Sequence, residues 1–187
     1  MSKLLERLKI NPIIAAVRNS EGLDRALHSE VTTIFLLNSD IFNIKKLIEK
    51  IQSRSKSVFV HMDFIEGLGN DHKAVDYLAE VIRPDGIIST RGSLIRHASS
   101  KGLFSIQRFF LIDSLSYQTA IKQVSSVKPD MIEVLPGVMP GVIKRICKEA
   151  SIPVIAGGMI DTKQDIIEIL KAGAIGASVG KTSLWDL

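Results

Sequence analysis

One cysteine, Cys147, occurs in the 187 residues, so no disulfide can close within the chain and a reducing compartment is the expectation. It falls in the helical pattern VIKRICKEA and reads as a small packing residue. Aromatic residues make up only 5 % of the chain, and no RNP-type motif is present. Nucleic-acid binding would therefore rest mainly on phosphate contacts and shape rather than on base stacking. No run approaches the roughly 18 apolar residues of a membrane span, and the start MSKLLERLKINP lacks a signal-peptide core. A soluble, cytoplasmic protein with no membrane partner is expected. The G-x-S-x-G nucleophile pattern is missing, and no second histidine lies at a metal-ligand spacing from His61, so neither a metal nor a cofactor is called for. Linkers, low-complexity stretches and charge blocks are also absent, which leaves one domain over residues 1–187. The formal net charge of +4 permits an anionic partner without requiring one.

What is present is a repeated pattern: a short apolar run, a turn, an amphipathic stretch, then another run. Eight such runs cover residues 13–17, 33–37, 58–62, 86–89, 106–112, 131–135, 154–156 and 175–179. Strands that are apolar throughout are those buried on both faces of a parallel sheet. Helical periodicity fills the gaps, for example over 43–51, 71–82, 116–127 and 163–171. The alternation predicts an α/β fold, and eight units predict a compact TIM-like (β/α)8 barrel rather than an open sheet. A repeat of about 23 residues is short for this fold, so loops must be tight and the helix after strand 8 reduced. The N-terminal helix over 3–9 is expected to cover the barrel floor or the gap by strand 8.

In such a barrel, functional residues stand at the C-terminal strand ends. Strand 7 ends in Gly157-Gly158, and strand 8 runs into Gly180-Lys181-Thr182. Glycine lets the backbone approach an anion, and free N–H groups at a helix start attract it, so these five residues form a candidate phosphate cradle. Gly180-Lys181-Thr182 also resembles the end of a P-loop, but that motif needs glycine five positions before Gly180, and Ile175 stands there. Glu133 interrupts an apolar strand and must find a partner in the interior: a ligand hydroxyl, a metal, or an ion pair with Arg18 or Arg108. Asp63 and Glu66, just past strand 3, suit hydroxyl binding, a divalent cation or acid–base work, and also suit loop capping. His61 reads as a general base or as a packed strand histidine.

Basic residues gather in three helical groups, the third being Arg96 with Lys101. Lys46, Lys50 and Arg54 are spaced by four and would share one face; Lys144, Arg145 and Lys148 form a second group. Such groups are solvated faces or phosphate contacts. From the residues alone, three readings stand: a ligand-binding regulator, an enzyme on a small phosphorylated metabolite (isomerase, lyase, or glycerol-phosphate transferase or diesterase), and an unliganded partner-binding barrel.

The ordered segments PIIAAVRN from Pro12, HMDFIEG from His61, GIISTR from Gly86, QRFFLID from Gln107, KPDMIEVLPG from Lys128, IPVIAGGMI from Ile152 and the closing AGA…SLW from Ala172 resemble the glycerol uptake operon antiterminator regulatory proteins. The likeness spans nearly the whole chain. It implies a non-catalytic barrel that responds to glycerol 3-phosphate and acts on leader mRNA of glycerol-metabolism genes to prevent premature termination. It further implies the ligand phosphate at Gly157, Gly158, Gly180, Lys181 and Thr182, with Asp63, Glu66, Glu133 and Arg18 at the glycerol end. It places no RNA-contact motif, so Lys46, Lys50, Arg54, Lys144, Arg145 and Lys148 stand as candidates from charge alone. A homo-oligomer is left open.

Overall fold

The computed structural model describes residues 3–187. Eight parallel strands close into a barrel in sequence order: β1 (Ile13–Val17), β2 (Thr33–Leu36), β3 (Ser57–His61), β4 (Gly86–Ser89), β5 (Phe104–Phe110), β6 (Met131–Leu135), β7 (Val154–Gly157) and β8 (Gly176–Val179), with β8 pairing back onto β1. The helices are α1 (Lys3–Ile10), α2 (Ser20–His28), α3 (Ile44–Gln52), α4 (His72–Tyr77), α5 (Gly92–Ser100), α6 (Ser114–Val127), α7 (Pro140–Glu149) and α8 (Lys163–Lys171). All strands are parallel, so every C-terminal end opens on one face, the mouth.

Two cores result from the two-residue period of a strand. One parity, with Val17, Ile34, Val58, Val60, Ile87, Ile132 and Val134, packs outward against the helices. The other, with Ile14, Phe35, Phe59, Ile88, Ile106, Met131 and Ile155, fills the barrel floor. Leu4 and Leu8 of α1, one turn apart, join that floor cluster from below, so of the two places open to it the N-terminal helix takes the floor. Phe35, Phe59 and Phe104 meet edge to face with centroids 5.8 and 5.7 Å apart. Gly86 makes this possible: a Cβ there would lie 2.3 Å from the Phe104 carbonyl oxygen and 2.8 Å from the Phe59 ring.

Local capping sets the helix starts. The Asn19, Asp71, Asp113 and Thr162 side chains accept from the backbone N–H three residues on, and Asp113 and Thr162 do so in reciprocal capping boxes with Ser116 and Asp165.

Three expectations are corrected, and one element is added. The fifth strand ends at Phe110 rather than at 112, because Ile112 and Asp113 donate their N–H groups to Ser116 Oγ and enter α6. The helix expected over 71–82 is α-helical only to Tyr77. It continues as a π turn, Leu78–Ile82, and stops at Arg83 in the left-handed region, since Pro84 disfavours a helical residue before it. Arg54 does not share a helical face with Lys46 and Lys50: α3 ends at Gln52, and the chain turns through left-handed Ser55 into β3. Finally, a two-residue parallel ladder, Ser39–Asp40 with Ile65–Glu66, ties the loops after β2 and β3, which apolar runs could not announce. After β8 only one 3₁₀ turn, Thr182–Leu184, precedes buried Trp185.

No helix among the described residues is long and apolar enough to cross a membrane.

Candidate functional site

Two residues above the apolar floor, the inward parity changes on four strands from large apolar to polar or small residues. Phe59 is followed by His61, Ile106 by Arg108, Met131 by Glu133 and Ile155 by Gly157. Arg108 and Glu133 are Cα partners on adjacent strands, so the register sets them at the same height. Arg108 Nε donates to Glu133 Oε2 at 2.6 Å, with the side chains only 6 % and 1 % exposed. Glu133 therefore pairs with Arg108 rather than with Arg18. Its second oxygen, Oε1, is buried without a partner. An unpartnered buried carboxylate oxygen beside an open cavity is a place for a ligand donor.

That cavity, about 820 Å³, lies over the pair on the β7–β8–β1 side of the mouth. Arg108 and Glu133 form part of its wall, with Arg18, Gly158, Ser178, Gly180 and Thr182 around them. The remaining predicted residues have other surroundings. A Cβ on Gly157 would lie 2.6 Å from Glu133 Oε1, so this glycine makes room for the carboxylate. Lys181 Nζ donates to the Asp161 carbonyl at 2.8 Å, tying the loop after β8 to the loop after β7. Asp63 accepts from Ser89 Oγ at 2.7 Å and from Thr90 N and Oγ1 at 2.8 and 3.0 Å, so both its oxygens bind the end of β4 and neither faces the cavity. Glu66 stands exposed on the small outer ladder, in a separate 280 Å³ cleft that Arg18 also borders. Arg18 projects from the end of β1 between the two openings.

Sequence reading named Arg108 only as an ion-pair partner and did not name Ser178. The signal for Arg108 was present: it lies at the same inward parity in β5 as Glu133 in β6. Ser178 had no such signal, because it follows the small residues Gly176 and Ala177 in the same short strand.

The basic groups sit on the helical exterior. Lys50 pairs with Asp24 at 2.7 Å. Arg145 pairs with Glu149 at 3.3 Å and lies 4.0 Å over the Tyr117 ring. Lys46, Lys144 and Lys148 are exposed. Among the described residues, no three histidine, cysteine or carboxylate side chains gather as a metal site. Cys147 is half-buried on α7, and burial pushes its thiol pKa up, which makes it a poorer nucleophile.

His61 is buried with neither ring nitrogen hydrogen-bonded; its ring packs 4.5 Å from that of Phe64, and Asp63 Oδ2 is too distant at 3.9 Å. Burial first, and the positive Arg108 second, lower its pKa from 6.5 to about 4, against the opposing pull of Asp63. Between these values the unfolded chain binds a proton that the folded chain refuses, so stability rises with pH across that window. Acidification from about pH 6.5 to about pH 4 should thus remove up to about 3 kcal/mol through this residue. Urea unfolding at several pH values checks it: this part of the slope should vanish in His61→Gln and persist if another group carries it.

The profile of a protein family described as glycerol-3-phosphate responsive antiterminator matches residues 13–185. The uncharacterized protein YgcP of Escherichia coli strain K12 is 38 % identical over 184 residues, 98 % of this chain and 96 % of that one. The crystal structure of a glycerol uptake operon antiterminator regulatory protein from Listeria monocytogenes superposes with a TM-score of 0.91 at 36 % identity, over 94 % of this chain and 95 % of that one. A glycerol uptake operon antiterminator-related protein from Thermotoga maritima gives 0.84 at 33 % identity, over 94 % and 98 % of the two chains.

Proposed function

Because the chain belongs to the glycerol-3-phosphate responsive antiterminators, a family of regulators rather than enzymes, we propose that the cavity over Arg108 and Glu133 is its sensor site for glycerol 3-phosphate. The observation that carries this reading is the unpartnered Glu133 Oε1 beneath glycine-lined strand ends. Glu133 accepts from a ligand hydroxyl there, while Arg108 and Arg18 supply positive charge. The phosphate lies against the backbone at Gly158, Gly180 and Thr182, where N–H donors need no side chain to reach it. Gly157 and Lys181 serve the same subsite by shaping it and by holding its two loops together; Asp63 and Glu66 act on the loops and not on the ligand.

Occupancy favours the form of the protein that binds leader mRNA of glycerol-metabolism genes in the cytoplasm. Linkage then requires the RNA to tighten glycerol 3-phosphate binding by the same factor. The exposed lysines Lys46, Lys144 and Lys148 offer phosphate contacts whose contribution falls with salt. Thermal unfolding with glycerol 3-phosphate and with inorganic phosphate tests the site. At about 100 times Kd the ligand should stabilise the fold by about 2.7 kcal/mol. Gly180→Asp sharpens the result: nothing lies within 4 Å of a Cβ at Gly180, so the variant should fold with a stability change of roughly 0.5 kcal/mol or less. Its carboxylate should nevertheless abolish the ligand-induced shift. An undiminished shift in Gly180→Asp places the phosphate elsewhere; leader-RNA affinity that is equal with and without glycerol 3-phosphate at fixed salt removes the sensor reading.

A further inference from the structure

All three exposed phenylalanines among the described residues, Phe42, Phe64 and Phe110, stand at or beyond the C-terminal ends of barrel strands. Two of them, Phe64 at 55 % and Phe110 at 54 % exposure, wall one pocket of about 370 Å³ on the mouth. Leu37 and Leu135 add apolar lining, Arg18, Arg108 and Asn38 supply its polar atoms, and no carboxylate lines it, although Arg108 is paired with Glu133. Phe64 is braced on one side by the His61 ring. Phe110 stands two residues above Arg108 on the same inward parity.

We propose that this pocket receives an unpaired base of the target RNA, stacked between Phe64 and Phe110, with the exposed Arg18 meeting a flanking phosphate and Arg108, held by Glu133, forming the wall behind the base. The inference rests on the sensor reading above and adds the place where RNA and ligand communicate. Aromatic rings take the π-face of any base, and an exposed guanidinium such as that of Arg18 complements a phosphodiester backbone. An apolar protein segment would not call for two arginines and an amide. Arg18, Leu37, Arg108 and Leu135 line both this pocket and the ligand cavity. A ligand that immobilises Arg108 and Arg18 from one side therefore fixes the wall that the base meets from the other, which is a direct route for coupling.

Phe64→Ala and Phe110→Ala test this, since both rings are largely exposed and their truncation leaves the barrel core intact. In the presence of glycerol 3-phosphate each should weaken leader-RNA binding roughly ten- to a hundredfold. The ligand's thermal shift without RNA should stay at the wild-type value, and so should the salt slope of RNA binding, because the phosphate contacts remain. Phe110→Trp, which keeps a stacking face, should retain affinity. RNA binding undiminished in both alanine variants, beside a wild type that responds to ligand, overturns the base pocket and leaves the sensor reading standing. Loss of self-association in sedimentation with unchanged RNA affinity also overturns it, in favour of a copy-to-copy contact. A wild type that binds RNA equally with and without ligand overturns both proposals.

Discussion

Arg108→Met and Glu133→Leu should each destabilise the barrel by about 3–5 kcal/mol, while the double variant should recover most of that loss and still fail to respond to glycerol 3-phosphate. Each single change leaves one ion buried opposite an apolar group, at a position 6 % exposed or less. Removing both removes the desolvation cost along with the attraction, and a well-packed apolar pair of similar size is commonly as stable as the ion pair it replaces. If the pair served only the fold, the double variant would behave as wild type in every assay. If it serves a ligand, as the unpartnered Glu133 Oε1 argues, stability and ligand response separate. Urea midpoints give the first quantity, and the thermal shift with glycerol 3-phosphate gives the second. A double variant that keeps the full ligand shift would make the pair purely structural.

Trp185→Ala should cost about 3–5 kcal/mol and disable the ligand cavity as well. The ring is 1 % exposed, and its Nε1 donates to the Val179 carbonyl at 2.8 Å. It borders the ligand cavity and lies near Gly22 of α2, 3.9 Å from where a Cβ would sit. The neighbouring Asp186 pairs with Arg25 at 2.6 Å and accepts from Glu30 N at 3.2 Å, so the end of the described chain is fastened to the segment that follows β1. The segment between Val179 and Trp185, which ends in the 3₁₀ turn, carries Gly180 and Thr182, which line the cavity. Loss of the ring frees that turn and leaves a void at the seam where β8 meets β1. Trp185→Phe should be milder, costing about 1–3 kcal/mol through the Val179 carbonyl left without its donor, and should retain a weakened ligand response. Equal losses in the two variants would assign the effect to the hydrogen bond rather than to the packing.

The eight strands, the order of helices between them and a covering helix at the N-terminus were legible in residue patterns. The strands are apolar throughout and short, and Leu4 and Leu8 stand one turn apart on α1. Starts such as Asp113 with Ser116 and Thr162 with Asp165 involve partners three residues apart, so their hydrogen bonds are local and can be read locally. The ends were less legible. Ile112 looked like strand and became a helix entry, and Arg54 looked helical and fell past the last turn, because capping bonds and a left-handed residue outweighed periodicity.

Sequence by itself therefore determined a small closed barrel with small residues at the ends of β7 and β8 and an acidic residue inside β6. Tertiary structure alone decided what the polar groups do. Glu133 meets Arg108, 25 residues away, because β5 and β6 pair in one register. Asp63 turns to Ser89 and Thr90, 26 and 27 residues on, and leaves the cavity. Phe64 and Phe110 become two walls of one pocket although they stand 46 residues apart in the sequence. Apolar burial follows a period that each segment carries within itself, whereas a hydrogen-bond partner or a facing ring is chosen by strand register and loop path, which only the closed barrel sets.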